Sequence, residues 1–242
     1  MKKKLLCSIL VVMLVSLLCF GLSACRSDAA EPNQDNAAQP KANVEIVSQE
    51  VQKYQDSLGS VNAAYLAEIK NTGTSTVKLS DLSIDLNSTD GNLIGVTDYV
   101  SAFPSIIKPG ESAYIMEEIY NSVFDTPVEI NSIGEAVLHY NAEESKEAPI
   151  LPIELTDAKL QTDAFGTPEI IGNIKNTGDT DLKYVYVVGI VRDSAKTLQN
   201  MIFTIIDSLP AGSDKGFSQT ALFGHPDADY NSSTVEFITF AE

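Results

Sequence analysis

One acidic segment has the residue types and the spacing of a cation site. Asp227, Asp229 and Asn231 alternate with other residues, and oxygen ligands at alternate positions suit calcium. The segment departs from an EF-hand, because its sixth position is Ser232 rather than Gly and its twelfth is Ile238 rather than Glu. A polar hairpin tip explains the same residues. They therefore stay candidates only, and we predict no metal and no other cofactor.

The two histidines offer no recognisable catalytic pattern. His139 falls within an apolar alternating run, and His225 falls in a Gly-His-Pro segment. Nucleophilic catalysis requires a base beside a nucleophile, and the sequence has no Gly-x-Ser-x-Gly elbow. Paired carboxylates stay open in so acidic a chain, although none stands out. We predict that the protein is not an enzyme.

The thiol of Cys25 stands where covalent lipid attachment is expected. Three lysines at positions 2–4 precede an apolar or small run over residues 5–20, and Leu22-Ser23-Ala24 comes directly before the cysteine. A basic start, an apolar stretch and small residues before a cleavage point are typical of a secretory signal. The alternative is an uncleaved anchor, since residues 5–24 are just long enough to span a bilayer.

This arrangement resembles the lipobox of bacterial lipoproteins, in which the cysteine receives a diacylglyceryl group and becomes the first residue of the mature protein. The resemblance implies a signal peptide over residues 1–24 and a lipid anchor at Cys25, on the extracytoplasmic face of the cell membrane. Cys7 and Cys19 lie within the signal, so no disulfide is expected within the mature chain.

The composition of the chain beyond the anchor is polar and acidic. Residues 25–42 are polar and lack aromatic side chains, which predicts a disordered tether. The whole chain has a net charge of −17, and removing the lysines at 2–4 takes the mature chain to near −20. Nucleic-acid binding depends on Lys and Arg neutralising phosphates, so a nucleic-acid partner is not expected.

The strongest organisational signal is a repeat. The pentapeptide Ile-Lys-Asn-Thr-Gly occurs at residues 69–73 and again at 174–178, an offset of 105. The matches continue through the next apolar positions, and a second shared segment, 107–112 and 209–214, has an offset of 102. An ordered series of matches with one small gap predicts two copies of one unit.

Each copy reads as short strands separated by turns. Asn and Gly tolerate left-handed backbone, and an Asn side chain can bond its own main chain, so Asn-Thr-Gly predicts a turn between strands. Regularly spaced strands predict an all-β fold of two tandem immunoglobulin-like antiparallel β-sandwiches, residues 43–149 and 150–242, joined by a charged link at 141–149. The predicted strands cover residues 63–69, 76–86, 112–120, 135–140, 168–174, 181–191 and 234–240.

The order of these elements resembles the FxLYD family of bacterial surface domains. A strand ending in Asn-Thr-Gly, an apolar strand, an Asp-Gly turn and a Lys-Pro-Gly-Glu turn carry the resemblance, which covers residues 43–242. The namesake motif is degenerate here, with residues 82–86 and 187–191 in its place. The resemblance implies an immunoglobulin-like sandwich and transfers no catalytic residue.

One difference between the copies is a candidate interaction face. Leu82, Ile84 and Leu86 are expected to face the first core, and alternation then points Val187, Gly189 and Val191 inward in the second copy. The opposite face of that strand is apolar, and exposed apolar patches mark interfaces. It either docks an extracellular partner, packs on the first domain, or changes register at a β-bulge. The residues of this face are Tyr184, Tyr186, Val188 and Ile190.

Taken together, these patterns predict a lipid-anchored surface protein that binds or scaffolds an extracytoplasmic protein or cell-wall partner through its β-sandwich surfaces. The alternative is an extracytoplasmic receptor for a small ligand or a divalent cation.

Overall fold

The structure is a computed structural model that describes residues 42–55, 61–119, 130–147, 152–222 and 230–241. The described residues all belong to one compact unit within residues 38–242. Leu22, Ser23, Ala24 and Cys25 lie outside the described residues, as do Asp227, Asp229 and His225. The signal, anchor and cation-site hypotheses for them stay predictions.

Apart from a 3-10 turn at Ile130–Ser132, the regular structure of the described residues is entirely β. None of these residues forms a helix that is long and apolar enough to cross a membrane. The strands are β1 Val44–Gln55, β2 Val61–Asn71, β3 Val77–Ser88, β4 Leu93–Thr97, β5 Ala102–Phe103, β6 Ile106–Ile107, β7 Ser112–Ile119, β8 Ile133–Glu144, β9 Ile153–Thr162, β10 Pro168–Asn176, β11 Leu182–Arg192, β12 Leu198–Leu209, β13 Asp214–Thr220 and β14 Thr234–Ala241.

Strands β1 to β8 form the first sandwich. One sheet has the order β1-β2-β7-β5, and in the other β3 pairs with β4, β6 and β8. All of the pairings are antiparallel. The facing sides of the two sheets bury an apolar core that includes Tyr65, Ile69, Ile84 and Ile115.

Strands β9 to β14 form the second sandwich, with sheets of order β13-β10-β9 and β12-β11-β14. These pairings are antiparallel as well. Its own core includes Ile170, Ile174, Val187 and Ile202. The predicted all-β, antiparallel sandwich fold is therefore confirmed.

The repeated pentapeptide makes the same hydrogen bonds in both sandwiches. Asn71 is fully buried, and its Nδ2 donates to the carbonyls of Ser75 and Ile107 at 2.8 and 3.0 Å. Asn176, also fully buried, donates to Thr180 and Leu209 at 2.7 and 3.0 Å. Each Oδ1 accepts the backbone N–H two residues later at 2.9 Å. The partners Ser75 and Thr180 are 105 residues apart, and Ile107 and Leu209 are 102 residues apart. These are the same two offsets as those of the repeated segments in the sequence.

The Asn side chain, rather than left-handed backbone, shapes this turn. Positive φ occurs instead at Gly110 and Gly212, in the equivalent turns that receive the Asn. Neither Gly73 nor Gly178 has a positive φ. At Gly178 a Cβ would lie 2.4 Å from Cγ of Pro152, so lack of space is the reason for glycine at that position.

The predicted link at 141–149 is wrong over its first four residues. Strand β8 continues to Glu144, and Asn141–Glu144 pair with Ser80–Val77 on β3. A short polar and acidic segment at the edge of a sheet resembles a link in sequence, but β3 satisfies the backbone groups of residues 141–144. The predicted boundary at 149/150 lies outside the described residues.

Replacing either pentapeptide asparagine should destabilise its sandwich. Asn71→Ala and Asn176→Ala each leave buried carbonyls without a donor, so we expect the free energy of unfolding to fall by about 2–4 kcal/mol. Asn173→Ala, at an exposed position of β10, should change it by less than about 0.5 kcal/mol. Denaturant unfolding of the three variants measures this, and similar losses at positions 71 and 173 would contradict it.

Candidate functional site

Strand β11 is buried on both faces. Val185, Val187 and Val191 face the core of the second sandwich, as alternation predicts. Gly189 faces the same way, and a Cβ there would lie 2.8 Å from Cγ2 of Ile170. The predicted inward orientation of Val187, Gly189 and Val191 is therefore confirmed.

The opposite face of β11 packs on the first sandwich. Val188 and Ile190 are 0% exposed and contact a layer that includes Ala64 and Leu66 of β2. Of the three alternatives for this face, packing on the first domain is the one that the structure has, so Val188 and Ile190 are not available to an extracellular partner. Tyr186 is partly buried in the same layer, and Tyr184 is 40% exposed.

We call this apolar layer between the two sandwiches the seam. It joins the outer side of the β2–β7 sheet to the outer side of the β11–β12 sheet. Its aromatic part is tightly stacked, with 5.0 Å between the ring centroids of Phe103 and Phe203 and 4.7 Å between those of Tyr186 and Phe240. The other buried members are Ala64, Leu66, Tyr114, Met116, Val188, Ile190, Leu198 and Met201.

An ion pair crosses the seam at one edge. Nη2 of Arg192, on β11, lies 2.7 Å from Oε2 of Glu68, on β2, and the two side chains are only 17% and 11% exposed. The same nitrogen donates to the Tyr114 hydroxyl at 3.1 Å, and Ser112 donates to the other Glu68 oxygen at 2.8 Å. Glu68 and Tyr114 are cross-strand neighbours, so one guanidinium reaches both.

The surroundings of the ion pair shift the pKa of Arg192 and of the neighbouring Tyr114. Burial alone lowers the pKa of Arg192, but the hydrogen bond and negative charge of Glu68 outweigh this effect and raise it. Burial, followed by the charge of Glu68, raises the pKa of Tyr114. Arg192 is therefore a permanent cation and Tyr114 a neutral donor and acceptor, which suits a fixed structural contact.

A double-mutant cycle should reveal the coupling across the seam. Glu68→Gln and Arg192→Gln each leave a largely buried charge without its partner, so we expect each to cost about 2–4 kcal/mol of unfolding free energy. The double variant should cost less than the sum by about 1–3 kcal/mol.

The matched control is the surface pair Lys78–Glu147, whose side chains are 52% and 67% exposed at 3.7 Å. Lys78→Gln and Glu147→Gln should couple by no more than about 1 kcal/mol. Equal coupling in the two cycles would mean that Glu68 and Arg192 do not hold the sandwiches together.

A groove opens at another edge of the seam, where a β-bulge lies in β3. The register of β3 on β8 shifts between Ser80 and Ser83, and Asp81 has a φ of 52°. Because of this bulge both Leu79 and Leu82 face the core, and Asp81 is left exposed on the outer side. Asp tolerates left-handed backbone better than most residues.

The groove has a volume of about 530 Å³ and is lined by residues of both sandwiches. Asp81 and Asp98 of the first sandwich are exposed at its rim, and Asn141 donates to Oδ2 of Asp81 at 2.8 Å. None of the described lining residues is a Lys, Arg or His. The remaining lining is apolar or hydroxyl-bearing: Leu79, Ser80, Leu82, Val100, Ser101, Ala102, Phe103, Ser105, Tyr186, Phe203 and Ile205.

Glu117 of β7 is the carboxylic acid with the most altered ionisation among the described residues. It alternates with Ile115 and Ile119, so its side chain lies on the core side of the sheet. Burial, followed by the negative charge of Glu118, raises the pKa of Glu117 from 4.5 to about 7.

This shift predicts a pH dependence of stability. The folded state holds the proton of Glu117 more tightly than the unfolded chain, so the associated stability is present at low pH and is lost between pH 4.5 and about 7. Glu117→Gln should raise the melting temperature at about pH 8 and leave it nearly unchanged at about pH 4. The exposed Glu135→Gln is the control, and a pH-independent effect of Glu117→Gln would contradict the burial argument.

Two aromatic side chains that the sequence analysis did not single out are almost fully exposed. Tyr99 is 92% exposed and Phe165 is 93% exposed. Phe165 lies at the tip of the β9–β10 hairpin, where Oδ1 of Asp163 accepts the backbone N–H of Phe165 and of Thr167 at 2.8 Å each. The sequence signal that could have identified Phe165 is an apolar residue between Asp and Gly in a turn.

The other candidate residues are not brought into one site. Asn231 is exposed, and the two aspartates predicted beside it are outside the described residues. No group of three or more His, Cys, Asp and Glu side chains that could hold a metal occurs within the described ranges. His139 lies on β8, as predicted, and its Nε2 is 3.0 Å from Oδ2 of Asp85 on the neighbouring strand.

Comparison with known proteins leaves the family open. No family model matches the chain, and no curated protein matches it. Among solved structures, a calcium-binding mutant of Bacteroides uniformis beta-glucuronidase 2 is 12% identical with a TM-score of 0.26, over 83% of this chain and 31% of the enzyme. A GH2 beta-galacturonidase from Eisenbergiella tayi is 11% identical with a TM-score of 0.22, over 84% and 44%. The chain spans less than half of either enzyme, and likeness at this level carries no argument about activity.

Proposed function

We propose that the protein is an extracytoplasmic lipoprotein with FxLYD-like sandwiches, anchored through Cys25, that binds or scaffolds a protein or cell-wall partner. Its role is binding rather than catalysis. The lipobox-like sequence supports the anchor, and the seam supports the binding role. Val188 and Ile190 are fully buried between the sandwiches, so the two sandwiches are expected to behave as a single body.

A single body holds its outward loops at fixed positions. Preorganised contact residues bind more tightly, because less conformational freedom is lost on association. Tyr99 and Phe165 are large aromatic side chains on such loops, and aromatic residues are enriched at binding hot spots. They replace the buried face of β11 as the proposed contact residues.

A small-ligand receptor is the second candidate function. The groove beside Asp81 supports it, because its volume of about 530 Å³ lies in the range of small-molecule sites. A divalent-cation receptor has no comparable supporting group among the described residues. A calcium titration tests that version, since binding to the native state must raise the melting temperature.

Chemical crosslinking on intact cells tests the first candidate. Wild type should capture a specific partner, and the Tyr99→Ser/Phe165→Ser variant should lose most of it, because two aromatic contacts are removed. Leu93→Ser, at a residue 59% exposed, is the matched control for removing an exposed apolar side chain. Equal crosslinks from all three proteins would exclude these loops.

The anchor is tested in the same cells. Cys25→Ser removes the thiol that accepts the lipid, so the variant should not incorporate a labelled fatty acid, whereas wild type should. Equal labelling of the two proteins would exclude Cys25 as the lipidation site, and no labelling of either would favour the uncleaved segment.

A further inference from the structure

We infer that the groove beside Asp81 binds an aliphatic diamine or polyamine, with its ammonium groups at the rim carboxylates and its hydrocarbon stem on the aromatic floor. This inference names a ligand class and so rests on the proposed binding function. Every residue on which this inference depends is one of the described residues that line the groove.

The floor of the groove suits a hydrocarbon stem. Phe103, Tyr186 and Phe203 are half-buried there, and Ile205 is 43% exposed. The rings of Phe103 and Phe203 stack on each other, so the floor offers a ligand mainly apolar surface. A hydrocarbon stem gains from contact with this surface, because the contact removes both from water.

The rim adds charge complementarity. The carboxylates of Asp81 and Asp98 line the groove, and no lysine, arginine or histidine among the described lining residues neutralises them. The β-bulge at Asp81 places this carboxylate on the exposed outer side at the rim, although Leu79 and Leu82 both face the core.

The two repeats supply unlike halves of the site. Asp81 and Tyr186 occupy equivalent positions, since they are separated by the repeat offset of 105 residues. The seam brings the carboxylate of one copy and the ring of the other to the same groove. The volume of the groove, about 530 Å³, lies in the range of small-molecule sites.

Isothermal titration of the full-length protein in detergent micelles tests this inference. Spermidine and putrescine are the probes, and wild type should bind spermidine more tightly because it carries more charge. Butylamine and butanediol should bind far more weakly, as they have the stem but lack one or both ammonium groups. Magnesium chloride at equal ionic strength controls for a point charge without a stem.

The decisive variant is Asp81→Asn/Asp98→Asn. Asn keeps the shape of the side chain and also tolerates left-handed backbone, so the bulge should persist. Spermidine binding should weaken by about tenfold or more, because charge-assisted hydrogen bonds are lost. Asp90→Asn/Asp179→Asn removes the same charge from two exposed positions outside the groove and should change binding by less than about twofold.

Three results would overturn the inference: no heat of binding from wild type with either amine, equal binding by both double variants, or binding of a tri-lysine peptide without binding of spermidine. Each leaves the crosslinks at Tyr99 and Phe165 unaffected. Conversely, loss of those crosslinks with retained amine binding would refute the proposed contact loops and leave this groove intact.

Discussion

The seam is the constraint on which the arrangement of the molecule depends. Strand β11 carries apolar side chains on both faces, and β2 does the same, so each needs a cover on two sides. One cover is the strand's own sandwich, and the other is the opposite sandwich. Full burial of one Leu, Ile or Val side chain contributes about 1.5–3 kcal/mol, so separating the sandwiches would expose several such contributions at once.

The seam also shows how two similar units acquire different surfaces. The buried asparagines at 71 and 176 preserve the same turn and the same link between sheets in both copies. Positions outside that framework differ: Asp81 corresponds to Tyr186, and Asn87 corresponds to Arg192. These differences supply the cation of the ion pair and the aromatic side of the groove. The copies share the residues that fold them and differ in the residues that join them.

Much of the fold could be predicted because it depends on local rules. Strand alternation, the turn residues and the repeat predicted the strands β2, β3, β10 and β11, and the inward register of β11. Strands β1, β4, β5, β6, β9, β12 and β13 were not among the predicted strands. Most residues of β1 and β9 are polar, so their sequences resemble loops, and only their pairing with β2 and β10 makes their role visible.

The site was less predictable, because it depends on contacts between distant residues. The apolar face of β11 was recognised, and packing on the first domain was one of its predicted alternatives, but β2 was not identified as the covering strand. Residues 63–67 are apolar at every position, which is typical of a strand buried on both faces. Glu68 and Arg192 are 124 residues apart, and nothing in the sequence pairs them. The bulge at Asp81 was missed as well, although Leu79 and Leu82 are three residues apart, a break in the alternation of β3 that is typical of a bulge.

Residue-resolved amide hydrogen exchange on the variant Ile84→Ala tests most directly whether the two sandwiches are one body. Ile84 is fully buried in the first core and lies outside the seam, so the substitution destabilises only the first sandwich directly. If the seam couples the sandwiches, the free energies of opening should fall by similar amounts for amides of β2 and of β11. Loss of protection confined to β2 and its sheet, with β11 unchanged, would contradict a single coupled body.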